Sequence, residues 1–159
     1  YAPICEKQGV CMDWSCEPGS RLEILGDGAL FEQILGNLLK NSLQAFECST
    51  AAVKTVRWTL GETQNGRPWI QVEDNGPGIP PEIRSKLFTP FVTTRPKGTG
   101  LGLSFIKQAL EEQGGTIQIL PRPAGQGACF LITLALMKGS VGRKESARRI
   151  DEAEFAARG

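Results

Sequence analysis

Three short stretches of this 159-residue chain carry side chains whose types and spacing could do chemistry. In FTPFVTTRPKGTGLGLS, residues 88–104, Gly98, Gly100 and Gly102 stand at alternate positions at the start of an apolar helix. Free backbone N–H groups and the helix dipole at such a place favour an anion, and Arg95 and Lys97 add positive charge just upstream. No Lys-Ser/Thr pair follows the glycines, so the pattern is not a P-loop. A glycine-rich helix start is a weak signal by itself. In GNLLKNSLQA, residues 36–45, Asn37 and Asn41 are four apart and stack on one side of a helix, at the margin of its apolar stripe. Amide oxygens are hard ligands suited to Mg²⁺, and amide N–H groups can donate to phosphate. The same amides would equally serve to cap or to hydrogen-bond neighbouring strands. In VEDNGPGIP, residues 72–80, Asp74 closes a strand and is followed by Gly76 and Gly78. An ionised carboxylate only accepts, so it can read the amino group of adenine and reject the carbonyl of guanine. The glycines let backbone pass close to a flat base, and Ile79 supplies an apolar wall. Asp-Asn-Gly is also plain turn chemistry, and that reading stays open.

The elements that must position these groups follow from periodicity. Residues 9–16 and 21–25 read as short strands around the turn Glu17-Pro18-Gly19-Ser20. Asp27 or Gly28 opens a helix to about Phe46, with Leu30, Phe31, Ile34, Leu35, Leu38, Leu39, Ala45 and Phe46 covering one half of it. Ala52, Val56, Trp58 and Leu60 alternate as a half-buried strand, and the Asn65-Gly66 turn leads into Pro68–Asp74. From about 76 to 99 the chain is irregular, with a brief helical piece near Pro81–Leu87, and a stretch of that length is usually functional, often a lid. Residues 101–113 return to helical period, and Gly114-Gly115 terminates them. Strands over 116–120 and 128–136 follow. The fold class is α+β: a two-layer sandwich of a mostly antiparallel sheet with helices on one face, not the strand–helix alternation of a doubly wound fold.

Composition narrows the function classes. With 40% hydrophobic and 22% charged residues, 159 residues suffice for one domain with a sizeable core. A net charge of +1 gives no reason to expect nucleic acid or a membrane as partner. The apolar runs are too short to span a bilayer, and no signal-peptide pattern opens the chain. The first residue is Tyr1, and the expectation is a piece of a longer, cytoplasmic polypeptide whose other parts could be membrane-anchored. Five cysteines and no histidine leave no ordinary zinc set. The cysteines read as reduced thiols, several buried; a redox or metal role for Cys5, Cys11 and Cys16 is the alternative. Residues 1–137 form the domain, and 138–159 form a tail, rich in Ala, Glu and Arg, with no part in the site.

Taken together and in this order, GNLLKNSLQA, DNGPGIP, LFTPFVTTRPKGTGLGLS and QALEEQGGTIQI resemble the four ATP-site boxes of the catalytic domain of two-component sensor histidine kinases, with a lid like that of the nitrogen-regulation type. The resemblance runs from about Gly26 to Leu136. It implies the Bergerat ATP-binding sandwich, with a mobile lid, shared with type II topoisomerases, MutL proteins, heat-shock chaperones and anti-sigma serine kinases. It also implies ATP and Mg²⁺ as cofactors, with Asn41 on the metal and Asn37 beside it as the catalytic pair. Asp74 would bind the adenine amino group, Gly76, Gly78 and Ile79 would shape the base pocket, and Phe88 and Phe91 would anchor the lid. Thr94, Arg95, Lys97, Gly98, Thr99, Gly100, Leu101 and Gly102 would line the phosphates. Many relatives carry a basic residue where this chain has Gln44, which weakens a phosphate clamp from that helix. In the hydrolytic branches a glutamate stands where this chain has Asn37, so the resemblance implies transfer rather than hydrolysis. The acceptor would be a histidine on a separate dimeric helical hairpin, with a response regulator downstream. The alternatives are a regulatory nucleotide-binding module without transfer and an anti-sigma type of serine kinase.

Overall fold

The structure is a computed structural model and describes residues 2–20, 27–93, 98–123 and 125–135. The strand expected over 21–25, the lid residues Thr94, Arg95 and Lys97, and the tail 138–159 lie outside them. Five strands, β1 (Val10–Cys16), β2 (Lys54–Glu62), β3 (Pro68–Asp74), β4 (Thr116–Ile119) and β5 (Cys129–Thr133), form one sheet in the order β1-β2-β3-β5-β4. Only β1 with β2 is parallel; the other three pairs are antiparallel. The helices are α1 (Ala2–Lys7), α2 (Gly28–Ala45), the single turn α3 (Pro81–Arg84) and α4 (Gly102–Glu112). The expected two-layer sandwich is the one observed, with α1 an element that the periodicity did not announce. Among the described residues, no helix is long and apolar enough to cross a membrane.

Local chemistry explains most of the boundaries. Asp27 caps α2, its carboxylate accepting from the N–H groups of Ala29 at 2.9 Å and Leu30 at 3.3 Å. At the other end α2 tightens into a 3₁₀ turn, Phe46–Cys48. Helix α4 stops where Gly114 takes a φ of +72° and Gly115 N–H returns to Leu110 C=O at 2.8 Å. Ala52 precedes β2 instead of joining it, and the last strand is shorter than its apolar run.

The alternation in β2 and β3 puts Val56, Trp58, Ile70 and Val72 on one face, paired through the register Trp58↔Val72↔Phe130 and Ile70↔Ile132. Ile34, Leu38 and Leu39 of α2 and Ile106, Ala109 and Leu110 of α4 bury against them in one cluster. Each large side chain removed from water in this way contributes roughly 1.5–3 kcal/mol. Asp74 extends the same face of β3, which delivers its carboxylate to the end of α2. At the far edge Trp14 stacks on Trp58 with centroids 5.0 Å apart. The cysteines are free: Cys5 donates to Met12 Sδ at 3.1 Å, and burial with the Glu73 carboxylate pushes the Cys129 thiol up to about 12. Among the described residues no group of three His, Cys, Asp or Glu side chains could hold a metal ion.

Candidate functional site

A cavity of about 230 Å³ lies along α2, lined also by the end of β3, by residues within 78–93 and 98–103, and by Ala128 and Phe130 of the sheet. Asp74, Gly78 and Ile79 line one part of it; Asn37, Asn41, Gly98, Thr99, Gly100 and Gly102 line another. Gly76 and Leu101, both expected at the ligand, are not in its wall.

The Asp74 part is built from interlocked backbone. Asp74 Oδ1 accepts from Gly76 N–H at 2.9 Å and Ala128 N–H at 3.2 Å, and Oδ2 accepts from the Ser42 hydroxyl at 3.3 Å. The first of these is the Asx turn that the Asp-Asn-Gly composition suggested, so the turn and a cavity-lining carboxylate coexist. Gly76 therefore serves by holding Asp74: a Cβ there would lie 3.0 Å from Oδ1 and 3.4 Å from Ala45 Cβ. Asp74 N–H in turn donates to Ala128 C=O at 3.0 Å. Gly127, at a φ of +83°, sits so close that a Cβ would overlap the Asp74 carbonyl oxygen, and a Cβ on Gly78 would lie 2.9 Å from the Gly127 carbonyl. Asn75 pins the turn to the start of β2, accepting from Thr55 N–H at 2.8 Å and donating to Val53 C=O at 2.7 Å. Asp74 is 7% exposed, and this burial pushes its carboxyl above the usual range, while the Gly76, Ala128 and Ser42 hydrogen bonds and Arg122 pull it back.

The Asn37 part is more open. A Cβ on Gly102 would meet only Asn37 Oδ1, at 3.7 Å, so the start of α4 stands beside Asn37 without crowding it. Asn37 and Ala45 are about two helical turns apart, roughly 12 Å along α2, and the cavity spans that interval. Gly100, at a φ of +67°, packs against the Phe91 backbone, where a Cβ would lie 2.5 Å from the carbonyl carbon. Phe91 N–H donates to Gly100 C=O at 3.0 Å. Phe91 itself has a φ of 65°, uncommon for a side chain with a Cβ. Phe91 is 76% exposed and makes no anchoring contact of the kind the resemblance implied, whereas Phe88 packs against the core cluster. Leu101 is 44% exposed and precedes α4 with no side-chain cap.

Sequence reasoning missed Ser42, Lys40, Gly127 and Ala128. Ser42 follows Asn41 on a helix and carries no periodic mark. The Gly125-Gln126-Gly127 pair ahead of an apolar strand was the available signal for the loop that holds Asp74.

Residues 26–138 match the family described as Histidine kinase-, DNA gyrase B-, and HSP90-like ATPase. The chain is 41% identical over 110 residues to the nitrogen regulation protein NtrY of Azorhizobium caulinodans, covering 68% of this chain and 14% of that protein. It superposes on full-length ShkA in complex with AMPPNP with a TM-score of 0.70 and 30% identity, over 83% of this chain and 27% of that one. It also superposes on the histidine kinase ThkA, in a complex with the response regulator protein TrrA, with a TM-score of 0.66 and 25% identity, over 84% of this chain and 36% of that one.

Proposed function

The chain belongs to the histidine kinase-, DNA gyrase B- and HSP90-like ATPase family, and from that premise we propose that it binds Mg-ATP and presents the γ-phosphoryl group to a histidine on a separate dimeric hairpin. The observation that carries this reading is a buried, acceptor-only carboxylate, Asp74, held by the Ser42 hydroxyl on α2 and lining the same cavity as Asn37, Asn41 and Gly102. An adenine amino group donates to Asp74 Oδ2, Ile79 and Phe130 flank the ring, and the phosphates run along α2 to the start of α4. There the free N–H groups of the first helical turn face them. Thr94, Arg95 and Lys97 complete the lid in this reading.

The donor set fits a magnesium ion, which Asn41 would hold with Asn37 beside it. Mg²⁺ takes hard oxygen ligands and keeps several waters, so the Asn41 amide oxygen, with Asn37 beside it, is a sufficient protein share. The ion would supply neutralisation of the phosphate charge. The rest falls to this chain's own residues: Asp74 orients the base, and the glycines admit the phosphates.

Transfer is favoured over hydrolysis by what stands near the phosphates. Among the described residues lining the cavity, Asp74 is the only carboxylate, and it lies at the base end. Asn37 cannot take a proton from water. The chain has no histidine, so the nucleophile comes from another segment. A ring nitrogen attacks the γ-phosphorus, the P–O bond to ADP breaks, and catalysis is mostly positioning. The phosphohistidine would then supply a response regulator, as the ThkA–TrrA complex suggests by likeness. The proposed setting is the cytoplasm, where ATP is at hand.

The test is incubation of the chain with radiolabelled ATP and Mg²⁺, with and without a cognate histidine-containing hairpin as a separate piece. The chain alone should bind ATP, acquire no acid-labile phosphate and release phosphate very slowly. The hairpin should become labelled, weakly, because the linkage that supplies effective concentration is missing. Rapid phosphate release by the chain alone would move it to the hydrolytic branch.

A further inference from the structure

The positions of α2 that line the cavity are Asn37, Lys40, Asn41, Gln44 and Ala45, an i, i+3, i+4, i+7, i+8 set on one helical face. Lys40 is exposed at the rim, while Asn37 and Asn41 on either side of it are half-buried. Among the described residues lining the cavity, Lys40 is the only cationic side chain. It forms no ion pair within 4.0 Å among the described residues, whose salt bridges are Arg57–Asp13, Lys107–Glu111 and Arg122–Glu73. The one carboxylate in the wall, Asp74, is committed elsewhere: it lies against Ser42 and the Gly76 turn beside Ala45, toward the C-terminal end of α2. Lys40 is one helical turn from Asn37, and Asn37 is where the start of α4 approaches.

We propose that Lys40 is the phosphate-contacting cation of α2, taking from one turn earlier the charge that Gln44 cannot supply. An ammonium on a flexible four-carbon stem can swing from the rim to a triphosphate. A hydrated lysine at the surface is usually worth little, but one facing an anion held by fixed backbone donors meets its partner without first ordering both groups. The inference rests on the ATP reading above, and it predicts discrimination by phosphate number. Adenosine, with no phosphate, should be indifferent to Lys40.

The experiment is calorimetric titration of the 159-residue chain and its Lys40→Gln and Lys40→Arg variants with Mg-ATP and with adenosine, at two ionic strengths. Lys40→Gln should weaken Mg-ATP binding about tenfold at low salt and less at high salt, leave adenosine binding unchanged, and leave the thermal midpoint unchanged. Lys40→Arg should retain most of the affinity. Equal Mg-ATP affinities for wild type and Lys40→Gln would overturn the inference and make Lys40 a solvated rim residue. A parallel loss of adenosine binding would also overturn it, by tracing the effect to the pocket's shape. Failure of the folded wild type to bind Mg-ATP at all would instead sink the ATP reading itself.

Discussion

The two ends of the cavity differ in how fully they are packed. Around Asp74 the protein satisfies itself: two backbone N–H groups and a hydroxyl converge on one carboxylate, and two glycines, Gly78 and Gly127, allow backbones to touch. Around Gly98–Gly102 the packing is less even: Gly100 lies against the Phe91 backbone, but a Cβ on Gly102 would meet an ordinary contact, and Phe91 and Leu101 are exposed. The Asp74 end is held by its own hydrogen bonds, and the Gly102 end leaves room beside Asn37. That division suits a kinase site, since recognition of the base can be rigid while the phosphate end must open to an incoming acceptor and to product release.

The largest effect that would break the comparison is at Gly127. Gly127→Ala combines a positive φ with a Cβ driven into the Asp74 carbonyl, so it should cost about 3 kcal/mol or more of folding stability. Chemical denaturation measures it. A loss below about 1 kcal/mol would mean that the loop gives way easily and the base end is not rigid.

A sharper test separates recognition from stability at Asp74. Asp74→Asn keeps an oxygen for Gly76 and Ala128 but turns an amino group toward the adenine amino group. ATP affinity should fall by roughly 1.5–3 kcal/mol, read by calorimetry. Stability should move the other way. Because burial raises the folded-state pKa of Asp74 above the ordinary aspartate value, the group's contribution is full below that ordinary value. It is lost as pH rises through the higher folded value. At neutral pH the ionised carboxylate is therefore a burden, and the variant should melt at a higher temperature than wild type. A lower melting temperature would show that the hydrogen bonds to the charged form outweigh its desolvation.

The smallest effect on the fold should come from Gly102→Ala. With 3.7 Å to Asn37 Oδ1 and a position at the start of α4, the added methyl should change stability by less than about 0.5 kcal/mol. Mg-ATP affinity should nevertheless drop several-fold, because the methyl occupies the approach to the helix N-terminus. Unchanged affinity would mean that the phosphates do not reach α4.

Much of the fold was legible because its causes are local. Asp27 as a cap, the two-residue alternation of β2 and β3, Gly114 after α4 and the four-residue spacing of Asn37 and Asn41 all act within a turn or a strand. They leave a period or a punctuation mark in the sequence. Only the folded chain decided what meets Asp74. Its partners Ser42 and Ala128 are 32 and 54 residues away, and a contact across such a separation has no period of its own. The same holds for the parallel pairing of β1 with β2, which the long excursion through α2 makes possible, and for Lys40, one more lysine on a helix until the cavity wall includes it. Phe91 marks the limit from the other side: the resemblance implied an anchoring contact, but with a left-handed backbone held against Gly100 the residue is exposed. Residue type and spacing determined the elements and named the polar groups, because those depend on neighbours in the chain. Tertiary packing decided which groups face a ligand and which face each other, because that depends on neighbours in space.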